Sequence, residues 1–85
     1  MSNAITLVHT IKIMDLAKFQ ERLKKLREEK NLSAESVSLE MGLDKNCIWL
    51  WENGKRKPGT DSICKLAKYF GVSSDFLLGL SDKEN

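Results

Sequence analysis

The stretch Ser33–Pro58, SAESVSLEMGLDKNCIWLWENGKRKP, decides the reading of this chain. In its first half Ala34, Val37, Ser38 and Met41 recur at three- and four-residue spacing, so one face of a helix is small or apolar and suited to burial. Ser33 stands where its hydroxyl can accept from the first-turn N–H groups, and Glu35 adds a negative charge that the helix dipole favours. Gly42 is the stop, since Gly takes the left-handed closing conformation without a steric cost.

After Gly42 and Leu43, Asp44 restarts the chain as a second N-cap, with Leu43 able to staple onto Ile48. The spacing predicts a helix over 44–53, with Cys47, Ile48 and Trp51 inward and Asn53-Gly54 as its stop. Lys45, Asn46, Trp49 and Leu50 point away from the core. A helix, a short Gly-containing turn and a second helix with a free outer face form a helix-turn-helix arrangement, whose second helix suits the DNA major groove.

Working outward, Leu16, Phe19, Leu23 and Leu26 mark an amphipathic helix from Asp15 to about Lys30, with Lys18, Arg22, Lys24, Lys25 and Glu28 read as its solvated face. Beyond Pro58, Ile63, Leu66, Ala67 and Phe70 form the stripe of a helix over about Thr60–Phe70, ended by Gly71. Ser73 caps a short helix through Phe76, Leu77 and Leu78 to a stop at Gly79. The expected division is residues 1–4 as the remnant of an expression tag, 5–14 as an N-terminal arm, 15–80 as the helical domain and 81–85 as a loose tail.

In the arm, Ile5, Leu7, His9, Ile11 and Ile13 alternate with Thr6, Val8, Thr10 and Lys12, the period of a strand. Two readings stand side by side. Either the strand pairs with its counterpart in a second copy, since a lone strand cannot satisfy its own backbone, or Met14 is the start and the segment is an upstream extension.

Composition fits one small helical domain of 85 residues, with 41% hydrophobic and 31% charged residues. No apolar run approaches the roughly 20 residues of a membrane span, and no secretory leader is recognised, so the expected location is cytoplasmic. A net charge of +2 and a pI near 8.6 argue only weakly for nucleic acid. Cys47 and Cys64 are assigned to inner helix faces as small hydrophobes. One His, no clustered ligands, no phosphate-cradling Gly loop and no paired nucleophile and base mean that no enzyme activity, metal or cofactor is called for.

Through FQERLKKLREEKNLS, MGLDKNCI, WENGKRKP and LAKYFGVSSDFLLG, over about Phe19–Gly79, the chain resembles the Xre type, the Cro and phage-repressor-like helix-turn-helix family. The resemblance implies an all-α, five-helix bundle of the lambda-repressor-like type, and an ion pair between Arg27 and Glu52 tying the first helix to the recognition helix. It also implies a transcriptional regulator, a repressor, bound as a homodimer to a palindromic double-stranded operator. On that docking geometry Lys45, Asn46, Trp49 and Leu50 face base edges, while Ser33, the backbone of Ala34, Lys55, Arg56 and Lys57 meet phosphates.

The chain also departs from the family. Ala34 stands where members commonly carry Gln, Asp44 where they carry Ser or Thr, and Leu39, Trp49 and Leu50 replace polar residues. Exposed apolar groups of this kind suit a protein partner at Trp49 and Leu50, and an indole can equally fold back as extra core. A DNA-binding regulator and a helix-turn-helix module for protein interaction are therefore both carried forward.

Overall fold

The structure, a computed structural model, describes residues 15–85. Five α-helices follow in order: α1 (Leu16–Glu29), α2 (Ala34–Glu40), α3 (Cys47–Glu52), α4 (Thr60–Phe70) and α5 (Ser74–Leu77). The described residues contain no strand, and the fold is the all-α, five-helix type expected. The strand reading of residues 5–13 lies outside the described residues.

One apolar cluster holds the helices together. The α1 stripe contributes Phe19, Leu23 and Leu26, the central pair Val37, Ile48 and Trp51, and the last two helices Ile63, Leu66, Phe70, Phe76 and Leu77, all buried. Each such side chain removed from water is worth about 1.5–3 kcal/mol before the entropy of ordering is counted. Within this cluster α3 packs on both α1 and α2, while α5 packs on α1 and α4. The central helix pair is thus held from behind by the longest helix of the domain.

The helix ends follow local rules. Asp15 caps α1 through the Lys18 N–H, Ser33 caps α2 through Ser36, and Ser73 caps α5 through Phe76. Each helix closes with paired backbone bonds to carbonyls three and five residues back, as where Gly42 donates to Leu39 and Leu43 to Ser38. Asn31 fills the left-handed position after α1 with φ 57°. Gly79 closes the domain for a second reason besides its φ of 78°: a Cβ there would stand 2.8 Å from the Cβ of Asp15. The end of α5 therefore lies against the start of α1, where the Asp15 N–H also donates to the Leu78 carbonyl.

Three expectations need correction. Arg22 is not part of a solvated face: its guanidinium sits 4.3 Å over the Phe76 ring and donates to the Phe76 and Ser81 carbonyls at 2.6 and 2.7 Å. It also pairs with Asp82 at 2.8 Å. Residues 81–85, expected to be loose, are tied down by these bonds and by the Ser73 N–H donating to the Glu84 carbonyl. Cys64 is half-buried rather than inward, whereas Cys47 is in the core. A guanidinium flanking an apolar stripe can lay its stem on an aromatic face and still reach backbone oxygens, which a charge-versus-apolar count misses.

Candidate nucleic-acid interface

The α2–α3 unit begins with a buried hydroxyl. Ser38 is fully buried, its Oγ donating to the Ala34 carbonyl at 3.0 Å and accepting from the Ile48 N–H at 3.0 Å. That second bond shapes the start of α3. An α-helix begun at Asp44 would send the Ile48 N–H to the Asp44 carbonyl, but Ser38 takes it, so residues 45 and 46 form a turn and regular helix starts at Cys47.

The expected helix over 44–53 is therefore shortened at its start, with Asn46 at the cap position and no side-chain bond from it. Asp44 still organises the turn. Its carboxylate accepts from the Asn46 N–H at 2.9 Å and its carbonyl from the Cys47 N–H at 2.9 Å. The Cys47 thiol is pushed up from its ordinary pKa by burial, with the nearby Arg56 guanidinium working in the opposite direction.

The far end of α3 is fixed from α1. Arg27 grips Glu52 with two bonds, Nε to Oε2 at 2.7 Å and Nη2 to Oε1 at 2.9 Å, and its Nη1 donates to the Leu32 carbonyl at 2.8 Å. The pair is mostly out of water, with side-chain exposures of 14% and 5%. The Glu52 hydrogen bond raises the already high Arg27 pKa, so the charge is permanent. A further clamp is the Gln20 Nε2 donating to the Glu52 carbonyl at 3.1 Å, directly under Gly54.

With its back and both ends held, α3 turns one side outward. Lys45 and Asn46 are exposed in the entry turn, Trp49 is 49% exposed one turn later, and Leu50 is half-buried beside it. The indole does not fold back into the core: the buried tryptophan is Trp51. Lys55, Arg56 and Lys57 follow, all exposed, in a loop that ends on buried Pro58. Among the described residues the two ion pairs are Arg22–Asp82 and Arg27–Glu52, so neither engages these cations or Lys45.

At the start of α2 the Ser33 hydroxyl is already committed, accepting from the Ser36 N–H and donating to the Ser36 Oγ at 2.8 Å. Exposed Ser36 thus carries the hydroxyl still able to donate outward, a residue the sequence reading did not select. Ala34 is half-buried against the core, which leaves only its backbone to face a ligand. Leu39, on the outside of α2, is 57% exposed.

The sequence profile of a helix-turn-helix domain matches residues 20–83, the whole of this scaffold from mid-α1 to the tail. The chain belongs to the helix-turn-helix domain family. Its relatives include the HTH-type transcriptional activator BcrR of Enterococcus faecalis, 37% identical over 60 residues, which cover 71% of this chain and 29% of that protein. Another is the cryptic phage CTXphi transcriptional repressor RstR of Vibrio cholerae, 35% identical over 54 residues, 64% of this chain and 49% of that protein. The SPbeta prophage-derived regulator YonR of Bacillus subtilis is 38% identical over 60 residues, 71% of this chain and 56% of that protein.

The chain thus spans about half the length, or less, of these relatives. No solved structure matches it at a significant level. The family is one of transcriptional regulators, not enzymes. No helix among the described residues is long and apolar enough to cross a membrane.

Helical spacing brought together Lys45, Asn46, Trp49 and Leu50 with the 55–57 loop, and the family resemblance paired Arg27 with Glu52. Sequence reasoning missed Ser38, Ser36, Gln20 and Arg22. Ser38 had a usable signal, since a hydroxyl on an apolar face four residues before a glycine stop needs buried partners of its own.

Proposed function

We propose that this chain is a sequence-specific double-stranded DNA-binding regulator that reads the major groove with α3. The observation that carries the reading is the α2–α3 unit, bonded by Ser38 within and by Arg27 and Gln20 from α1, which turns Lys45 and Asn46 outward beside cations that form no ion pair among the described residues. Lys45 suits the O6 and N7 acceptors of guanine, and Asn46 the N6–N7 edge of adenine, each good contact being worth about 1–3 kcal/mol of discrimination. Ser36, the Ser33–Ala34 backbone, Lys55, Arg56 and Lys57 flank that face and serve phosphates, which set register and supply most of the salt-dependent affinity.

The protein acts as a homodimer on a palindromic operator, with half-sites about 34 Å apart, one turn of DNA. Occupying such a site blocks access to it, so the regulatory outcome is repression. A second reading, a protein-interaction module, is favoured by one observation: Leu39 and Trp49 are both large, apolar and about half exposed.

Retention of a randomised duplex pool at two salt concentrations, followed by sequencing, separates the readings. An enriched inverted repeat that persists at higher salt supports the operator-binding dimer. Retention that collapses with salt and enriches nothing leaves only phosphate attraction, and the exposed Leu39 and Trp49 then belong to a protein partner.

A further inference from the structure

Where α4 passes the C-terminal end of α2, the surface is indented by a cleft of about 320 Å³ lined by Glu40, Met41, Lys65, Lys68 and Tyr69. α4 packs chiefly on α5, and the seam with α2 is spanned by the Tyr69 hydroxyl, which donates to the Glu40 Oε1 at 2.5 Å. That hydrogen bond pushes the Tyr69 pKa up, so the phenol keeps its proton and stays the donor. Met41 and Tyr69 are partly buried and packed on the core, and they give the cleft an apolar floor. Lys65, Lys68 and Tyr69 stand at three- and four-residue spacing and share one face of α4. Both lysines are exposed, and neither forms an ion pair among the described residues.

The charged groups on the cleft are these two cations and one carboxylate that already accepts a hydrogen bond, so its wall favours a negative ligand. A cation would face both ammonium groups. The floor adds a demand for an apolar body joined to that charge. Size then separates the occupants. The volume stands at the lower end of small-molecule sites, about 300–1,000 Å³, whereas a stable protein partner covers about 20–30 residues a side.

We infer that the cleft between α2 and α4 binds a small amphipathic organic anion, a monocarboxylate whose charge meets Lys65 and Lys68 and whose apolar body lies on Met41 and the Tyr69 ring. The cleft holds on the order of ten waters, which sets the body at on the order of ten to fifteen non-hydrogen atoms. The inference does not rest on the DNA-reading role of α3. Met41 closes α2 directly before the Gly42 turn into α3, so the occupant touches the helix pair that carries the candidate interface.

The test is a titration of the full chain, followed by its backbone amide NMR signals, with three probes. Naphthaleneacetate has both parts, naphthaleneacetamide keeps the shape without the charge, and acetate keeps the charge without the body. Each exposed lysine–carboxylate pair is worth about one-and-a-half- to fivefold in affinity, so the amide should bind about two- to thirtyfold more weakly than the acid. Saturable shifts centred on the five lining residues, with that ranking and with acetate inert, support the inference. The double variant K65A/K68A, its fold checked by circular dichroism, should lose affinity for the acid by the same factor and bind the amide unchanged. Equal affinity for acid and amide, or a double variant that binds the acid like the parent, overturns the charge recognition. Acetate bound as tightly as the acid overturns the apolar body, and shifts that never saturate or centre elsewhere overturn the site. If the double variant loses affinity for a random-sequence duplex by as much as for the acid, the lysines serve phosphates and the small-anion assignment falls.

Discussion

Replacing Arg27 by Met tests how the domain holds α3. The substitution keeps the length and apolar stem of the side chain but leaves the Glu52 carboxylate, 5% exposed, without its two Arg27 donors, and the Leu32 carbonyl without the Arg27 Nη1 donor. Removing one member of a mostly buried pair costs about 3–5 kcal/mol, because the remaining charge has neither water nor a partner. A chain of 85 residues has a total stability of about 4–13 kcal/mol, so the variant loses about a quarter of it or more. With a urea m-value of about 1 kcal/mol/M for so small a domain, the midpoint followed by helical circular dichroism should fall by about 3–5 M, or the variant should be unfolded without denaturant.

Replacing both partners, R27M with E52M, should recover to within about 1–2 kcal/mol of the parent, since two apolar side chains leave no orphaned charge and only the Leu32 carbonyl bond is missing. A midpoint shift under 1 M for R27M would refute the reasoning. So would a double variant whose loss equals the sum of the two single losses, because the groups would then be acting independently.

Other outcomes follow from the same structure. Ser38→Ala removes the buried acceptor of the Ile48 N–H and should cost about 1–3 kcal/mol in a urea melt, where a surface Ser36→Ala costs under about 0.5. Gly42→Ala meets no atom within 4 Å and should cost only the left-handed penalty of about 1–2 kcal/mol. Gly79→Ala must in addition push the Asp15 and Lys18 stems away, and should lower the midpoint at least twice as far. In binding titrations Lys45→Ala should lose preference among sequences, whereas Arg56→Ala should weaken binding to all of them and reduce the salt slope by about one; equal effects of the two would contradict the assigned roles. Native-state alkylation at pH 8 followed by mass spectrometry should modify Cys64 before Cys47, whose burial keeps its thiol protonated; equal rates would show that α3 opens readily.

Much of this protein was legible from local rules. The apolar stripe of α1, the span Thr60–Phe70, the stops at Gly42, Gly54, Gly71 and Gly79, and the caps at Ser33 and Ser73 each depend on a few neighbouring residues, and periodicity and capping chemistry report on that range. The outward placement of Lys45, Asn46 and Trp49 followed from the same spacing. The pairing of Arg27 with Glu52 came instead from a resemblance that supplies a long-range contact no local rule contains.

What needed the tertiary structure was each place where a polar group from one element completes the backbone of another. Ser38 takes the Ile48 N–H and so moves the start of α3 past Asp44. Gln20 reaches the Glu52 carbonyl, and Arg22 lies on Phe76 to hold the tail. In sequence these residues look like an ordinary small or solvated position, because hydropathy records how a side chain prefers water and not which distant carbonyl or N–H it will meet. The sequence by itself thus determined which helices form and which side of α3 stays outside. Only the packed chain decided where that helix begins and what holds it still, since both depend on hydrogen bonds between groups that come together after the core has closed.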